Sequence, residues 1–417
     1  MSTNSTQKVA LTFAGGTQSV TGANFLLEGP LYEGEQIKIL VDCGIEHTSE
    51  FCDRCNYDPF PYAPESVAVL LITHAHMDHI GRIPKLVKDG FKGVIYSTPG
   101  TREISEVMFE DAYHLLKEEA KQEGKEPLYE MHDIEEALRL WKTVPYHTTQ
   151  ELGLGFSAYF KDAGHILGSA LIEVSFNNSK ILFTGDLGNS PAPLLRDTEE
   201  IEDADYVVME SVYGDRNHEP RAERTEHLKA VIEDTMARKG VLLIPAFSIE
   251  RTQILLYELN QLIESGAIPA LPVFLDSPLA IKVTDIYQSR IQNFKESVQG
   301  EIRGGDNVFD FPNLKFTYSK EESQAIAHEK NPKVIIAGSG MSHGGRIQHH
   351  EKHYLPNPNT TLLFVGYQAA GSLGRRLQDG AKKVKIGDKE VKVGAQIETI
   401  RGYSAHKDSE GLLSFIE

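Results

Sequence analysis

Only three cysteines, Cys43, Cys52 and Cys55, occur in 417 residues. So few thiols cannot form the disulfide framework of a chain this long. Cys52-Asp53-Arg54-Cys55 has the CxxC spacing, but no second CxxC answers it. Surface or packing thiols are therefore expected, rather than a structural zinc or a redox pair. No apolar run reaches the roughly 18 residues that a membrane span needs. The first seven residues are polar and lack the apolar region of a secretory signal. No membrane partner and a cytoplasmic location are expected. Positive charge is also short: 42 Lys and Arg face 60 Asp and Glu, a net charge of −18. That argues against a grip on nucleic acid by bulk electrostatics. A local grip stays open, in a cleft where a metal and a few arginines supply the field. Neither a phosphate-loop lysine signature nor a GxGxxG follows a strand, which weakens any nucleotide-cofactor reading.

What is present describes an ordinary globular protein, 40% hydrophobic and 24% charged, long enough for two or three domains. One stretch stands out. The apolar run from Val67 to Ile72 leads into His74-Ala75-His76-Met77-Asp78-His79. His74 and His76 alternate, so both project to one side of an extended segment. Asp78 and His79 follow as the chain turns into a helix expected over Asp78 to Val87, with Gly90 as its stop. Imidazoles and carboxylates at this density suit zinc, manganese or iron. Two ligand sets aimed two ways suggest two metals.

The same placement recurs. Asp42 ends a strand over Gln36 to Val41, and Asp186 ends one over Ser179 to Phe183. Glu210 ends one over Tyr206 to Glu210. His165 sits between glycines, joining strands Phe156 to Ala163 and Ala170 to Phe176. Polar groups are thus gathered on one rim of a sheet. A carboxylate such as Asp186 can bridge two metals with its two oxygens.

From Arg221 onward helical and strand-like segments alternate, the pattern of a parallel sheet covered by helices. Its strand ends carry glycine- and serine-rich turns whose N–H groups can receive phosphate oxygens. Ser339, Gly340 and Ser372, with Arg346 and Arg375, are the candidate substrate contacts. Arg251 and Arg376 follow such turns too.

The set His74-x-His76-x-Asp78-His79, His165 and Asp186 resembles the metallo-β-lactamase superfamily over roughly residues 8–212. The resemblance implies an α/β fold, an αββα sandwich with metals at one edge. His74, His76 and His165 would hold one zinc. Asp78 and His79 would hold a second, with Asp186 bridging and Asp42 in support; manganese could replace zinc. Glu210 in Glu-Ser-x-Tyr-Gly, and Ser404-Ala405-His406-x-Asp408, resemble the β-CASP nucleases. The likeness is closest to the cleavage subunit of pre-mRNA 3′-end processing and its bacterial and archaeal relatives.

That family inserts a β-CASP domain, a parallel sheet with flanking helices, into the first domain. The implied division is 1–213, an inserted 214–395, and a return over 396–417, with the active site in the cleft between the domains. The implied activity is zinc-dependent hydrolysis of single-stranded RNA, as an endonuclease or 5′–3′ exonuclease, by a two-metal hydroxide mechanism that leaves a 5′-phosphate. Asp42, Asp78, Asp186, Glu210 and His406 form the catalytic group, with His406, oriented by Glu210, protonating the leaving oxygen. The family often forms dimers, so a homodimer is the implied assembly. It also places a further histidine of the second site shortly after the Ser-Ala-His segment. The chain reaches Glu417 without it, so a second metal short of one ligand, in a C-terminally truncated first domain, is expected. Two other readings are a small-molecule hydrolase such as a thioesterase, and a non-catalytic RNA-binding subunit of a processing complex. The second domain and the Glu210/His406 pair argue against the first, and the full set of core ligands against the second.

Overall fold

Short runs of valine, isoleucine and leucine separated by polar turns build two facing sheets. In the computed structural model, which describes residues 8–17, 19–31, 34–46 and 55–417, six strands form the first. They are β1 (Ala10–Gly15), β2 (Asn24–Glu28), β3 (Lys38–Val41), β4 (Val69–Leu71), β5 (Val94–Ser97) and β6 (Trp141–Thr143), side by side in that order. β1 to β3 are antiparallel, and β3 to β6 run parallel. The second sheet holds β7 (Thr149–Gly153), β8 (Phe156–Asp162), β9 (Ala170–Phe176), β10 (Ser179–Phe183) and β11 (Tyr206–Val208), in the order β11-β10-β9-β8-β7. Cys52, the first cysteine of the CxxC spacing, lies outside the described residues.

Alternation decides which faces meet. Ile39, Val41, Val69 and Leu71 of the first sheet pack on Phe156, Ala158, Phe160, Ile172 and Val174 of the second in one buried core. The helices Pro99–Glu123 and Met131–Leu140 lie against the first sheet. The helix Ser409–Ile416 covers the second, where Leu412 and Phe415 meet Leu171, Leu182 and Leu187. The αββα sandwich is therefore observed.

A second compact unit comprises Ala192–Leu195 and Asp215–Asp408; the first keeps Met1–Pro191, Arg196–Gly214 and Ser409–Glu417. The second unit's sheet contains β12 (Val241–Pro245), β13 (Val273–Asp276), β14 (Leu314–Phe316), β15 (Lys333–Ala337) and β16 (Thr361–Phe364). After a small hairpin of β17 (Lys383–Ile386) and β18 (Lys389–Lys392) comes β19 (Gln396–Thr399). The order is β14-β13-β15-β12-β16-β19, all parallel. Because β19 completes this sheet, the chain rejoins the first unit at Ser409, not at Gln396.

One expected helix is broken. In place of a continuous Asp78 to Val87 there are Met77–Ile80 and Ile83–Lys88. The Arg82 N–H leaves the helical ladder to donate to Cys43 O at 2.9 Å, and Cys43 N–H donates to His79 O at 2.7 Å. The histidine segment is thereby tied to the end of β3.

Candidate metal centre

β3 and β4 are parallel neighbours, so their C-terminal ends bring Asp42 and the 73–79 segment together. Asp42 is fully buried and has φ of 58°, a conformation non-glycine residues rarely adopt. Its carboxylate explains why it is held there. Oδ1 accepts the Thr73 N–H at 2.8 Å, and Oδ2 accepts the Thr73 hydroxyl at 2.7 Å and His79 Nδ1 at 2.7 Å.

These bonds set tautomers. With its only proton given to Asp42, Thr73 Oγ1 accepts from His74 Nδ1 at 3.1 Å. His74 and His79 thus keep their protons on Nδ1 and present lone pairs on Nε2. Thr73 and its role in this orientation carry no signal in the sequence beyond their place at the strand end.

His165 arrives from the second sheet. Gly164 before it has φ of 65°, and a Cβ there would stand 2.6 Å from Thr198 N, so only glycine permits the turn. Ser169 Oγ accepts the His165 N–H at 3.0 Å, while Thr98 and Thr101 hydroxyls donate to Gly168 O at 2.6 and 2.7 Å. The loop is fixed on three sides. Ser169 is the other positioning group that sequence reading missed.

The result is a convergence of donor atoms. His76 Nδ1 lies 3.1 Å from His74 Nε2 and 3.2 Å from His165 Nε2. Asp186 Oδ2 lies 3.2 Å from His74 Nε2 and 3.4 Å from His165 Nε2. A tetrahedral ion with bonds of about 2.0–2.1 Å would space its ligands roughly 3.3 Å apart. Lone pairs aimed at each other at that spacing repel unless a cation stands between them. His74, His76, His165 and Asp186 therefore fit one metal ion.

The other oxygen, Asp186 Oδ1, lies 3.4 Å from His79 Nε2. Burial alone would push the His79 imidazolium pKa down, but Asp186 and Asp42 outweigh it and hold that pKa well above the ordinary value. A field that retains a proton there is one that favours a cation in its place. Asp78 is half-buried beside His79, and its carboxylate has no hydrogen-bond partner among the described residues. Glu210 Oε1 accepts the Leu187 N–H at 2.6 Å, and a Glu210 oxygen lies within 4.8 Å of Asp186. A cleft lined by Asp42, Thr73, His79, Asp186 and Glu210 opens at this edge.

His406 belongs to the second unit. Its N–H donates to Ser404 Oγ at 3.2 Å, and its carbonyl accepts from His218 Nε2 at 2.9 Å. Arg224, paired with buried Glu258, donates to Gly402 O at 2.9 Å, and Tyr403 OH donates to Glu258 Oε2 at 2.5 Å. The segment carrying His406 is thus clamped from inside its own unit.

The remaining candidates lie at strand ends of the same unit. Ser339 and Gly340 follow β15, and Ser372 caps the helix Leu373–Gln378 by accepting the Arg375 N–H at 3.0 Å. Arg346 is held by Asp276 Oδ1 at 2.6 Å and by the carbonyls of Thr317 and Tyr318. Arg375 pairs with Asp379 at 3.0 Å on the surface.

The metallo-beta-lactamase superfamily domain matches residues 31–205, and the Beta-Casp domain matches residues 252–377. Ribonuclease TTHA0252 of Thermus thermophilus is 36% identical over 403 residues, covering 97% of this chain and 89% of that protein. The transcription termination factor FttA of Methanosarcina mazei is 31% identical over 431 residues, and the chain spans 66% of its length. For FttA of Pyrococcus abyssi the identity is 32% over 408 residues and the span is 62%. A solved protein of unknown function from Enterococcus faecalis superposes with a TM-score of 0.55 at 12% identity, covering 98% of this chain and 91% of that one. That likeness concerns the fold alone.

Proposed function

The chain belongs to the β-CASP branch of the metallo-β-lactamase superfamily and is a metal-dependent hydrolase of the nuclease type, and from that premise we propose that it cuts phosphodiester bonds of single-stranded RNA, leaving a 5′-phosphate. The convergence of His74, His76, His165 and Asp186 at tetrahedral spacing is the observation that carries this reading. We assign zinc to that set, with manganese as the substitute. Asp78, His79 and the second oxygen of Asp186 would hold a second ion. Bound divalent ions would make a ligated water acidic enough to attack near neutral pH and would offset charge on the phosphate oxygens.

The chain's own residues do the rest. Asp42 and Thr73 hold the imidazoles of His74 and His79 in one tautomer. His406 donates a proton to the departing 3′-oxygen, which needs no attack by a 2′-hydroxyl. Backbone N–H groups around Ser339 and Gly340 and at Ser372 receive flanking phosphates. Arg346, already committed to Asp276, supplies field more than a direct contact. The ribonuclease name of the Thermus relative supports RNA as the polymer.

The test uses a labelled single-stranded RNA. His76→Ala and Asp186→Ala should each abolish cleavage and lose metal; undiminished cleavage would refute the ligand assignment. His406→Ala should lower turnover while the metal content stays that of the parent.

A further inference from the structure

Two large aromatic side chains face solvent where the second unit's strands end. Phe247, two residues past β12, is 37% exposed, and Tyr367, three past β16, is 59% exposed. Register brings Phe247 level with Gly366, the residue before Tyr367. Leu243 pairs with Leu362, so position 247 comes level with 366, and a Cβ on Gly366 would stand 3.2 Å from Phe247 Cε2. On the opposite flank, a Cβ on Gly340 would lie 2.8 Å from Phe247 Cδ2. The ring therefore rests in a slot whose two sides are residues without side chains. Buried Gln368 ties those sides together, its Nε2 donating to Gly340 O at 2.8 Å and to Gly366 O at 3.2 Å. β16 also pairs with β19, whose C-terminal end leads through Arg401 to His406. Three adjacent strands thus deliver Phe247, Tyr367 and His406 to one rim.

A single exposed aromatic is ordinary. A pair on neighbouring strands, with one ring seated in a glycine slot of fixed width, is a built surface. Charge narrows what it can receive. Residues 215–408 carry 26 Lys and Arg against 24 Asp and Glu, whereas the rest of the chain carries 16 against 36. An anionic polymer meets far less repulsion on the second unit than on the first.

We propose that Phe247 and Tyr367 form a base-stacking subsite for a nucleobase of single-stranded RNA, on the same rim of the second unit that carries His406. The proposal rests on the ribonuclease reading above. Every base offers a π face, so such a site would hold the strand with little sequence preference.

The experiment measures equilibrium binding of a single-stranded oligoribonucleotide containing 2-aminopurine to the full chain in EDTA, so that the RNA stays intact. A parallel series carries one abasic position at a time, and metal-loaded cleavage is assayed separately. The wild type should quench 2-aminopurine. Phe247→Ala should weaken binding roughly five- to a hundredfold, the range of one lost base stack, while Phe247→Trp retains it. One abasic position should cost the wild type a similar factor and cost Phe247→Ala nothing more. Tyr367→Ala should show the same insensitivity at that or the adjacent position.

An abasic series that leaves wild-type affinity within about twofold throughout overturns the subsite, whether or not the Phe247 variant folds, and leaves the nuclease reading intact if the RNA is still cut. RNA neither bound nor cut by the wild type defeats the ribonuclease reading and the subsite with it. Self-association that Phe247→Ala abolishes, with no dependence on bases, assigns the patch to a second copy of the chain and also overturns the proposal.

Discussion

One hydroxyl, that of Thr73, serves Asp42, His74 and His79 at once. Thr73→Val keeps the shape and removes those bonds. It should weaken metal retention about 10–100-fold, the usual effect of losing a group that orients ligands, with the circular dichroism spectrum unchanged. Chelator competition reads this directly. Glu351 offers a second test. Burial pushes its carboxyl up to about 8, against an ordinary 4.5, and its Oε2 has no hydrogen-bond partner among the described residues. Between those values the folded state keeps a proton that the unfolded state releases. Wild-type stability should therefore fall as pH rises from about 4.5 to 8, at ~1.4 kcal/mol per pH unit at most. Glu351→Gln still accepts the Ser342 hydroxyl and should lack that fall. Urea melts at pH 5 and pH 8 would measure it.

The segment from Gly402 to His406 is held by an ion pair nine-tenths buried on both partners, Arg224 with Glu258. Glu258→Ala would leave the Arg224 charge buried and alone and should cost ~3–5 kcal/mol, measured by denaturant unfolding. Tyr403→Phe keeps the ring over Arg224 and loses one hydrogen bond, about 1 kcal/mol, and should lower turnover more than substrate affinity because it frees the His406 segment. Nothing in the sequence announces Arg224 or Glu258, because partners separated by 34 positions leave no periodic trace. The sites that were readable share one property: strong local density at the end of an apolar strand. His74, His76, Asp78 and His79 show it outright, and Asp42, Asp186 and Glu210 show it by repetition. The helix Gly345–Tyr354 was hidden for the opposite reason. Its buried stripe is Ile347, His350, Glu351 and Tyr354, helical in spacing but largely polar, so a search for apolar periodicity passes over it. The break between Met77–Ile80 and Ile83–Lys88 depends on Cys43, far away in the chain, and could not be read locally.

At the scale of the molecule, the proposed metals bind side chains of the first unit alone. Chelation should therefore lower the melting temperature of the first unit by several degrees or more and leave the second unit's transition in place. Differential scanning calorimetry with and without EDTA would show it; a joint shift of both transitions would contradict it. The chain path has a further effect on synthesis. Leu171, Leu182 and Leu187 are covered by Leu412 and Phe415, yet the whole second unit is made in between. At ribosomal speeds of about 5–20 residues per second, roughly 200 intervening residues take on the order of 10–40 seconds. For that time the nascent sheet shows a leucine strip with no cover, because the second unit, closed by β19, is finished only just before Leu412 is made. The leucine strip is thus covered only after the whole second unit has been made, and until then it offers an apolar surface that a chaperone could hold.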